Sequence, residues 1–369
     1  MIITQCACCA APLPRLAKQC SRCKTRYCGP ACQKKDWEEG GHDTLCKRIR
    51  KGGGAEQYYA DQKYTAAVIV AARACAEDTQ GQTCYVCTQA VHWKTKEALV
   101  RMCACRGTSG FVHVSCLAEQ ARILCEEAEE NNLDIHPRWD RWYTCGLCEQ
   151  DYHGVVYCAL GWACWKTYLG RLETDQARRM AMATLGNGLY AADQYEDALT
   201  VREAHVAAMR RVGASEHTIL ATEGNLAGAY YELGRFEEAL RLEKGVYIEI
   251  LKLKGEESLE TSMAAYNYAD SLVCRRRFEE ARSLLRKIMP VARRVPGESH
   301  DLTLKMRRTY AQSLYEDDGS THDDLREAVN TLEETERIAR RVFGDTHPTT
   351  GLMGESLKQS RAALGARGM

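Results

Sequence analysis

Aromatic and small residues recur at a fixed spacing along the carboxy-terminal half of the chain. The segments YEDAL, FEEAL and FEEAR begin at residues 195, 236 and 278, in steps of 41 and 42 residues. In each segment an aromatic residue is followed three positions later by alanine, so a bulky contact and a close contact alternate on one helix face. The pattern predicts about four helix pairs between residues 173 and 344, followed by a capping helix that ends near residue 365.

Small residues mark the same positions in successive units. They stand in the helix that precedes each aromatic segment: Gly188, Ala229 and Ser271. Glycines also close the successive units: Gly213, Gly255, Gly297 and Gly344. Periodicity alone also fits a plain helical bundle, but the fixed phase of aromatic, alanine and glycine favours stacked repeats.

Two apolar runs in the amino-terminal half predict further helices. YTAAVIVAARACAED follows KGGGAEQ, whose glycines predict a hinge, and HGVVYCALGWACWKTYLG occupies residues 153–170. Both runs are too short to cross a bilayer as helices. We interpret Trp162 and Trp165 in the second run as core residues, and Cys158 and Cys164 as buried thiols.

Composition adds one strong constraint, which is the distribution of cysteine. The 369 residues contain 50 Lys and Arg and 50 Asp and Glu, so net charge favours neither nucleic acid nor a membrane surface. Of the 20 cysteines, only Cys274 lies beyond residue 165. The start, MIITQCACCA, does not resemble a signal peptide. We therefore expect a reducing compartment, cytoplasmic or nuclear, in which paired thiols indicate metal rather than disulfides.

The first ligand series lies between residues 6 and 46. Its eight members are Cys6, Cys9, Cys20, Cys23, Cys28, Cys32, His42 and Cys46. Two residues between thiolates form a tight knuckle, and three residues on a helix place two ligands on one face. Eight ligands suit two tetrahedral zinc ions, whereas the alternatives are a coincidental cysteine-rich segment or a redox site.

This series and the fragments YC, CQKKDW and HDTLC resemble a MYND zinc finger. The resemblance implies that the ligands interleave. One zinc would take Cys6, Cys9, Cys28 and Cys32, and the other would take Cys20, Cys23, His42 and Cys46. Cys8 could compete with Cys6 or Cys9, and EEGG lengthens the gap before His42. MYND fingers bind peptides, often proline-containing ones, so the resemblance implies a peptide-binding module.

A second ligand series occupies residues 84 to 148. Its members are Cys84, Cys87, Cys103, Cys105, His113, Cys116, Cys145 and Cys148. The order of these ligands along the chain and the segment GFVHVSCL resemble a RING-CH (RINGv) finger. The resemblance implies one zinc on Cys84, Cys87, His113 and Cys116, and another on Cys103, Cys105, Cys145 and Cys148. The alternative is a set of core or disulfide residues without metal.

RING-CH fingers commonly dock a ubiquitin-conjugating enzyme and position its thioester, without a nucleophile of their own. Val86 occupies the apolar position between the first two cysteines that often contacts that enzyme. Gln120 stands where active relatives usually have tryptophan, and the neighbouring Ile123 or Leu124 could replace that contact. The resemblance therefore leaves two hypotheses for the function of this protein: a ubiquitin ligase, or a scaffold that keeps only the fold of the finger.

The carboxy-terminal repeats resemble tetratricopeptide repeats of the kinesin-light-chain type, notably in GESHDLT and GDTHPTT. Such repeats usually bind peptides along their concave surface. Asn225 and Asn267 occupy the same position in their repeats, eleven residues before the aromatic residue of the unit. Repeat proteins often contact a peptide backbone with an asparagine at this position. The alternative is that these asparagines belong to an ordinary solvated face. The first repeat has Thr184 at this position, so the asparagines do not form an unbroken series.

The sequence thus predicts a mainly α protein in which two cross-braced zinc fingers precede an α-solenoid. The predicted segments are a MYND finger (1–50), a hinge and linker helix (51–80), a RING-CH finger (81–152), a connecting helix (153–172) and repeats with a capping helix (173–369). We expect an adaptor with four zinc ions, protein or peptide partners and no membrane. It would be either a ligase that recruits a conjugating enzyme or a non-catalytic scaffold. Nucleic acid is disfavoured, since residues 81–152 hold seven Lys and Arg against ten Asp and Glu.

Overall fold

The computed structural model describes residues 5–11, 13–14, 17–345 and 347–367. Within these ranges the protein is mainly helical, which confirms the predicted fold class. The chain divides into two compact units, Met1–Gly213 and Ala214–Met369. None of the helices in the described part combines the length and the apolar character needed to span a bilayer.

The first unit begins with a small finger around a two-stranded antiparallel sheet. Its elements are β1 (Lys18–Gln19), β2 (Arg26–Tyr27), α1 (Pro30–Glu38) and α2 (His42–Lys51). Pro30 suits the first turn of α1, because the N–H that proline lacks would have no partner inside the helix. Tyr27 and Ile49 are fully buried and form a small core with cysteines of the first ligand series.

The glycines predicted as a hinge form a compact turn. The N–H of Gly54 donates to the carbonyl of Ile49 at 3.0 Å, and that of Ala55 donates to the carbonyl of Cys23 at 2.8 Å. Gly53 and Gly54 have φ values of +85° and +99°, which glycine adopts without the steric cost of a side chain. The turn leads directly into α3 (Ala55–Ala74).

The second finger has longer loops and one long helix. Its helices are α4 (Val114–Glu130), α5 (His136–Trp139) and a short 3-10 helix (Asp140–Trp142). The buried face of α4 carries Leu117, Ala121, Cys125 and Ala128, spaced three or four residues apart. The acidic residues from Glu126 to Glu130 form the C-terminal end of α4.

Three further helices complete the first unit: α6 (Gly154–Tyr168), α7 (Gln176–Ala191) and α8 (Tyr195–Arg211). One buried apolar cluster joins these helices to α3 and to the second finger, and includes Val68, Phe111, Leu117, Trp142, Leu160, Leu185 and Val201. Trp162 and Trp165 are buried in this cluster, which confirms their prediction as core residues.

The second unit consists of helices joined by short turns. They are α9 (Glu216–Glu232), α10 (Phe236–Lys254), α11 (Leu259–Cys274), α12 (Phe278–Arg294), α13 (Asp301–Tyr315), α14 (His322–Phe343) and α15 (Pro348–Arg367). Phe236 and Phe278 are the first residues of α10 and α12, and Ala239 and Ala281 are fully buried, as the repeat pattern predicts. With α7 and α8 of the first unit, four helix pairs precede α15.

Candidate metal centres

The first tetrad of thiols, Cys6, Cys9, Cys28 and Cys32, forms at the edge of the first finger. All four sulfur atoms lie within 4.8 Å of one another. A tight knuckle places Cys6 beside Cys9, with the N–H of Ala10 donating to the carbonyl of Cys6 at 2.9 Å. Cys32 lies on α1, and its sulfur is 3.4 Å from that of Cys28. Burial opposes ionisation of Cys6, but hydrogen bonds from the Cys28, Cys9 and Cys8 backbone lower its pKa to about 6.

The second tetrad, Cys20, Cys23, His42 and Cys46, is buried throughout, and its ligand atoms also lie within 4.8 Å. His42 is the first residue of α2 and Cys46 follows one turn later, so both reach the same point. The Cys20 and Cys46 sulfur atoms are 3.8 Å apart, and the Cys23 sulfur is 3.4 Å from Nε2 of His42. The EEGG insertion therefore does not prevent the ligands from meeting.

Outer residues orient the ligands of the second tetrad. The hydroxyl of Thr25 lies 3.0 Å from the Cys23 sulfur. The carboxylate of Asp36 accepts a hydrogen bond from Tyr27 at 2.8 Å and lies 3.7 Å from Nδ1 of His42. Because metal-bound histidines usually direct their second nitrogen to a carboxylate, Asp36 is placed to fix the ring of His42. Burial and Asp36 raise the pKa of Tyr27, which keeps its hydroxyl a donor.

We predict that Asp36→Asn weakens zinc binding at the second tetrad by about 10- to 100-fold, the usual effect of removing an outer carboxylate. Elemental analysis after dialysis against chelators of graded strength would measure the zinc that each chain retains. Asp43→Asn is the matched control, since Asp43 is an exposed residue in the first turn of the same helix. Equal zinc retention by the two variants would contradict the role of Asp36.

The third tetrad, Cys84, Cys87, His113 and Cys116, lies at the start of the second finger, with ligand atoms within 4.8 Å. Nδ1 of His113 is 3.4 Å from the Cys87 sulfur and 3.7 Å from the Cys116 sulfur. Backbone N–H groups of Val86 and Cys87 donate to the Cys84 sulfur at 3.4 and 3.5 Å. Such donation stabilises a thiolate, which is the form that binds metal.

The fourth tetrad, Cys103, Cys105, Cys145 and Cys148, has sulfur atoms within the same 4.8 Å limit. A hydrogen bond from the Cys103 thiol lowers the pKa of Cys145 to about 4. Gly110 has a φ of +87°, and a Cβ there would lie only 2.6 Å from the Cβ of Cys105. A glycine is therefore required where the chain passes from the fourth tetrad back to His113 of the third.

Four clusters of four sulfur or imidazole ligands fit four zinc ions. Three or four cysteines with at most one histidine are the usual donors of structural zinc sites, whose tetrahedral coordination has no open position. The pairing of ligands is interleaved along the chain in both fingers. Cys8 belongs to none of the four clusters, and Cys158 and Cys164 are buried, as predicted.

The residues predicted to contact partners lie at or near the surface. Val86 is 43% exposed, Gln120 is exposed on α4, and Ile123 on the next turn of α4 is 42% exposed. Sequence reasoning missed Leu147, which is 52% exposed. The sequence contained a signal for this residue, because Leu147 lies between Cys145 and Cys148 at the same position that Val86 occupies between Cys84 and Cys87.

The two asparagines lie on the first helices of their pairs. Asn225 is exposed on α9, and Asn267 is half-buried on α11. In the first unit, the hydroxyl of Thr184 accepts a hydrogen bond from the indole of Trp139 at 3.0 Å. Thr184 therefore has a packing role, which accounts for the break in the asparagine series.

Comparison with known families agrees with the three predicted resemblances. Residues 6–46 match the MYND finger, residues 84–137 match the RING-variant domain, and residues 220–248 match the tetratricopeptide repeat. Comparison with curated proteins gives no match.

Solved structures of repeat proteins are similar to the chain at low identity. One is a Podosopora anserina putative kinesin light chain with nearly identical TPR-like repeats, at 18% identity and a TM-score of 0.40. The match covers 62% of this chain and 97% of that one. Another is BtubC (BKLC) from P. vanneervenii, at 14% identity and a TM-score of 0.39, covering 69% and 89%.

Proposed function

We propose that this protein is an adaptor whose RING-variant finger recruits a ubiquitin-conjugating enzyme while the repeats or the MYND finger hold a substrate. Zinc fingers combined with tetratricopeptide repeats support protein interaction as the general role. The functional segments would be residues 1–50, 81–152 and 173–369. The observation that carries the ligase proposal is the exposure of apolar residues on the second finger.

Three apolar side chains support a docking surface for the conjugating enzyme. Val86 and Leu147 lie in the knuckles of two different tetrads, and Ile123 lies on α4. The two knuckles are held by zinc ligands, so the side chains between them are positioned without a large core. Because a few residues usually contribute most of the binding energy of an interface, single substitutions in this small surface should have measurable effects.

Gln120 weakens this surface, and Ile123 is placed to compensate. An amide that replaces a central tryptophan can cost about 2 kcal/mol or more, roughly thirtyfold in affinity. Ile123 is half exposed one turn further along α4, where it can supply the apolar contact that Gln120 lacks. We therefore propose transfer that is slow or restricted to few conjugating enzymes.

The test is discharge of ubiquitin from a panel of conjugating enzymes by the full chain loaded with zinc. We expect Val86→Ala to lower the discharge rate about tenfold, because it removes a central apolar contact. If Gln120 leaves the second contact unfilled, Gln120→Trp should raise the rate. If Ile123 supplies that contact instead, Gln120→Trp should change little and Ile123→Ala should lower the rate. Val342→Ala is the matched control, since Val342 on α14 is exposed to a similar extent, 46%.

The contrary result separates the two candidate functions. If neither the wild type nor Gln120→Trp discharges any enzyme while four zinc ions remain bound, ubiquitin transfer is excluded and the scaffold function stands. Asn225 and Asn267 remain our proposed contacts for a peptide backbone on the repeats in both cases.

A further inference from the structure

A cleft of about 1160 Å³ opens within the first unit, beside the first finger. The finger contributes Pro14 and Arg26, and the helices and loops that follow contribute Glu56, Arg178 and Leu172. The volume exceeds that of typical small-molecule pockets, which is about 300–1,000 Å³, so a short peptide segment fits it better. The cleft includes none of the sixteen ligand residues.

Two arginines of the cleft share one carboxylate at long range. Nη2 of Arg26 lies 3.8 Å from Oε1 of Glu56, and Nη2 of Arg178 lies 3.9 Å from Oε2 of the same residue. Neither distance is a hydrogen bond, whereas guanidinium groups usually hold carboxylates at about 2.7–2.9 Å. Nη1 of Arg178 also donates to the carbonyls of Leu169 and Arg171 at 2.5 and 2.6 Å, which holds this guanidinium in place without neutralising its charge. The carboxylate of Glu173, which pairs with Arg211, adds negative charge near both arginines.

The other two arginines of the cleft pair closely with carboxylates. Arg171 donates to both carboxylate oxygens of Glu129, at 2.6 and 2.9 Å. Arg211 pairs with Glu173. Arg26 and Arg178 are thus the cleft arginines that have no carboxylate at hydrogen-bond distance among the described residues. The side chain of Arg26 is 40% exposed, so an incoming group can reach it.

The wall of the cleft also has an apolar surface. Trp165 lines the cleft, and its buried indole N–H has no acceptor among the described residues. The guanidinium of Arg178 lies 5.5 Å from the centre of the Trp165 ring. Leu13, Met182 and Leu172 add apolar surface, and Leu172 is 77% exposed.

We propose that this cleft binds an acidic peptide segment, with an Asp or Glu carboxylate between Arg26 and Arg178 and an adjacent apolar side chain against the cleft wall. The charge at the two arginines selects an anion, and the apolar lining selects a peptide over a free ion. The inference rests on the proposed adaptor function only in that its ligand is a segment of a partner protein.

The experiment selects ligands from a phage-displayed library of random twelve-residue peptides, with the full zinc-loaded chain as bait. We expect the enriched sequences to contain Asp or Glu next to Leu, Ile, Val or Met. Fluorescence polarisation of a labelled enriched peptide then measures affinity. Arg26→Ala should weaken binding at least tenfold, because it removes a donor to the carboxylate.

Glu56→Gln should act in the opposite direction and strengthen binding several-fold, because it removes the competing carboxylate. Opposite effects of Arg26→Ala and Glu56→Gln cannot arise from misfolding. The matched controls are Arg361→Ala and Glu333→Gln, from an exposed ion pair in the second unit with an N–O distance of 2.7 Å. Neither control should change the affinity by more than twofold.

Two outcomes would overturn the proposal. One is enrichment of peptides without acidic residues, and the other is affinity that Arg26→Ala and Glu56→Gln leave unchanged. Peptides whose binding is instead lost in Asn225→Ala with Asn267→Ala would place recognition on the repeats. That result would keep the adaptor function and reject the cleft.

Discussion

Replacing His113 with alanine will release at least one zinc ion and disorder the second finger, and this is the largest effect that we expect from a single substitution. His113 is fully buried, and its Nδ1 belongs to the third tetrad. A structural zinc ion contributes apparent binding free energy of about 10–16 kcal/mol, most of which is folding free energy. Native mass spectrometry should show three zinc ions or fewer instead of four.

The damage will extend into the helices of the first unit. Val112, Val114 and Leu117 flank His113 and belong to the same buried cluster as residues of α3, α6 and α7. The near-ultraviolet circular dichroism of the buried tryptophans should therefore weaken. The second unit has buried clusters of its own, so much of the far-ultraviolet helical signal should persist.

His92→Ala is the control for this experiment. The rings of His92 and His113 are 5.3 Å apart, but His92 belongs to none of the four tetrads. Its Nδ1 accepts a hydrogen bond from the backbone of Thr95 on an exposed loop. We expect four bound zinc ions and an intact tryptophan signal. Four zinc ions in His113→Ala would instead remove that residue from the ligand set.

The eight ligands of each finger could be predicted from the sequence because zinc chemistry restricts both residue type and spacing, whereas their grouping into tetrads came from the family resemblances. A knuckle needs two cysteines with two residues between them, and a helix places His42 and Cys46 on one face whatever surrounds it. The repeat helices were equally predictable, since Phe236 and Phe278 mark helix starts by local pattern alone. Neither prediction required knowledge of distant contacts.

The shared core of the first unit could not be read in the same way. The sequence presents the second finger (81–152) and the connecting helix (153–172) as successive segments. In the structure Trp139 and Trp142 are buried, and Trp139 reaches Thr184, 45 residues further along the chain. No periodicity indicates such a contact, because it depends on how α5 and α7 pack.

The cleft was also beyond prediction from sequence. Arg26, Glu56 and Arg178 lie on three elements that are far apart in the chain, and each resembles an ordinary surface charge in its local context. Only the fold shows that the two guanidinium groups share one carboxylate.

Gly188→Ala will destabilise the first unit because α6 and α7 meet at backbone distance there. A Cβ at Gly188 would lie 2.7 Å from the carbonyl oxygen of Tyr157 and 3.1 Å from the Cα of Cys158. On the facing helix, a Cβ at Gly161 would lie 3.1 Å from the Cα of Leu185. The obstructing atoms are backbone, so the helices themselves must move apart.

Overpacking of this kind costs about 1–3 kcal/mol, and the gain of alanine over glycine in a helix, about 0.5–1 kcal/mol, offsets only part of it. At about 2–4 °C per kcal/mol for a unit of this size, the thermal midpoint of the first unit should fall by several degrees. Differential scanning calorimetry of the full zinc-loaded chain would measure the shift.

Gly224→Ala provides the matched control for the helix contribution. Gly224 lies inside α9, and a Cβ there would meet only the Cγ1 of Val246, at 4.0 Å. The same substitution should therefore stabilise the second unit by about 0.5–1 kcal/mol, since alanine is the better helix former and nothing obstructs it. A midpoint that Gly188→Ala leaves unchanged would show that α6 and α7 can separate without cost, and the close approach would then not be what fixes their packing.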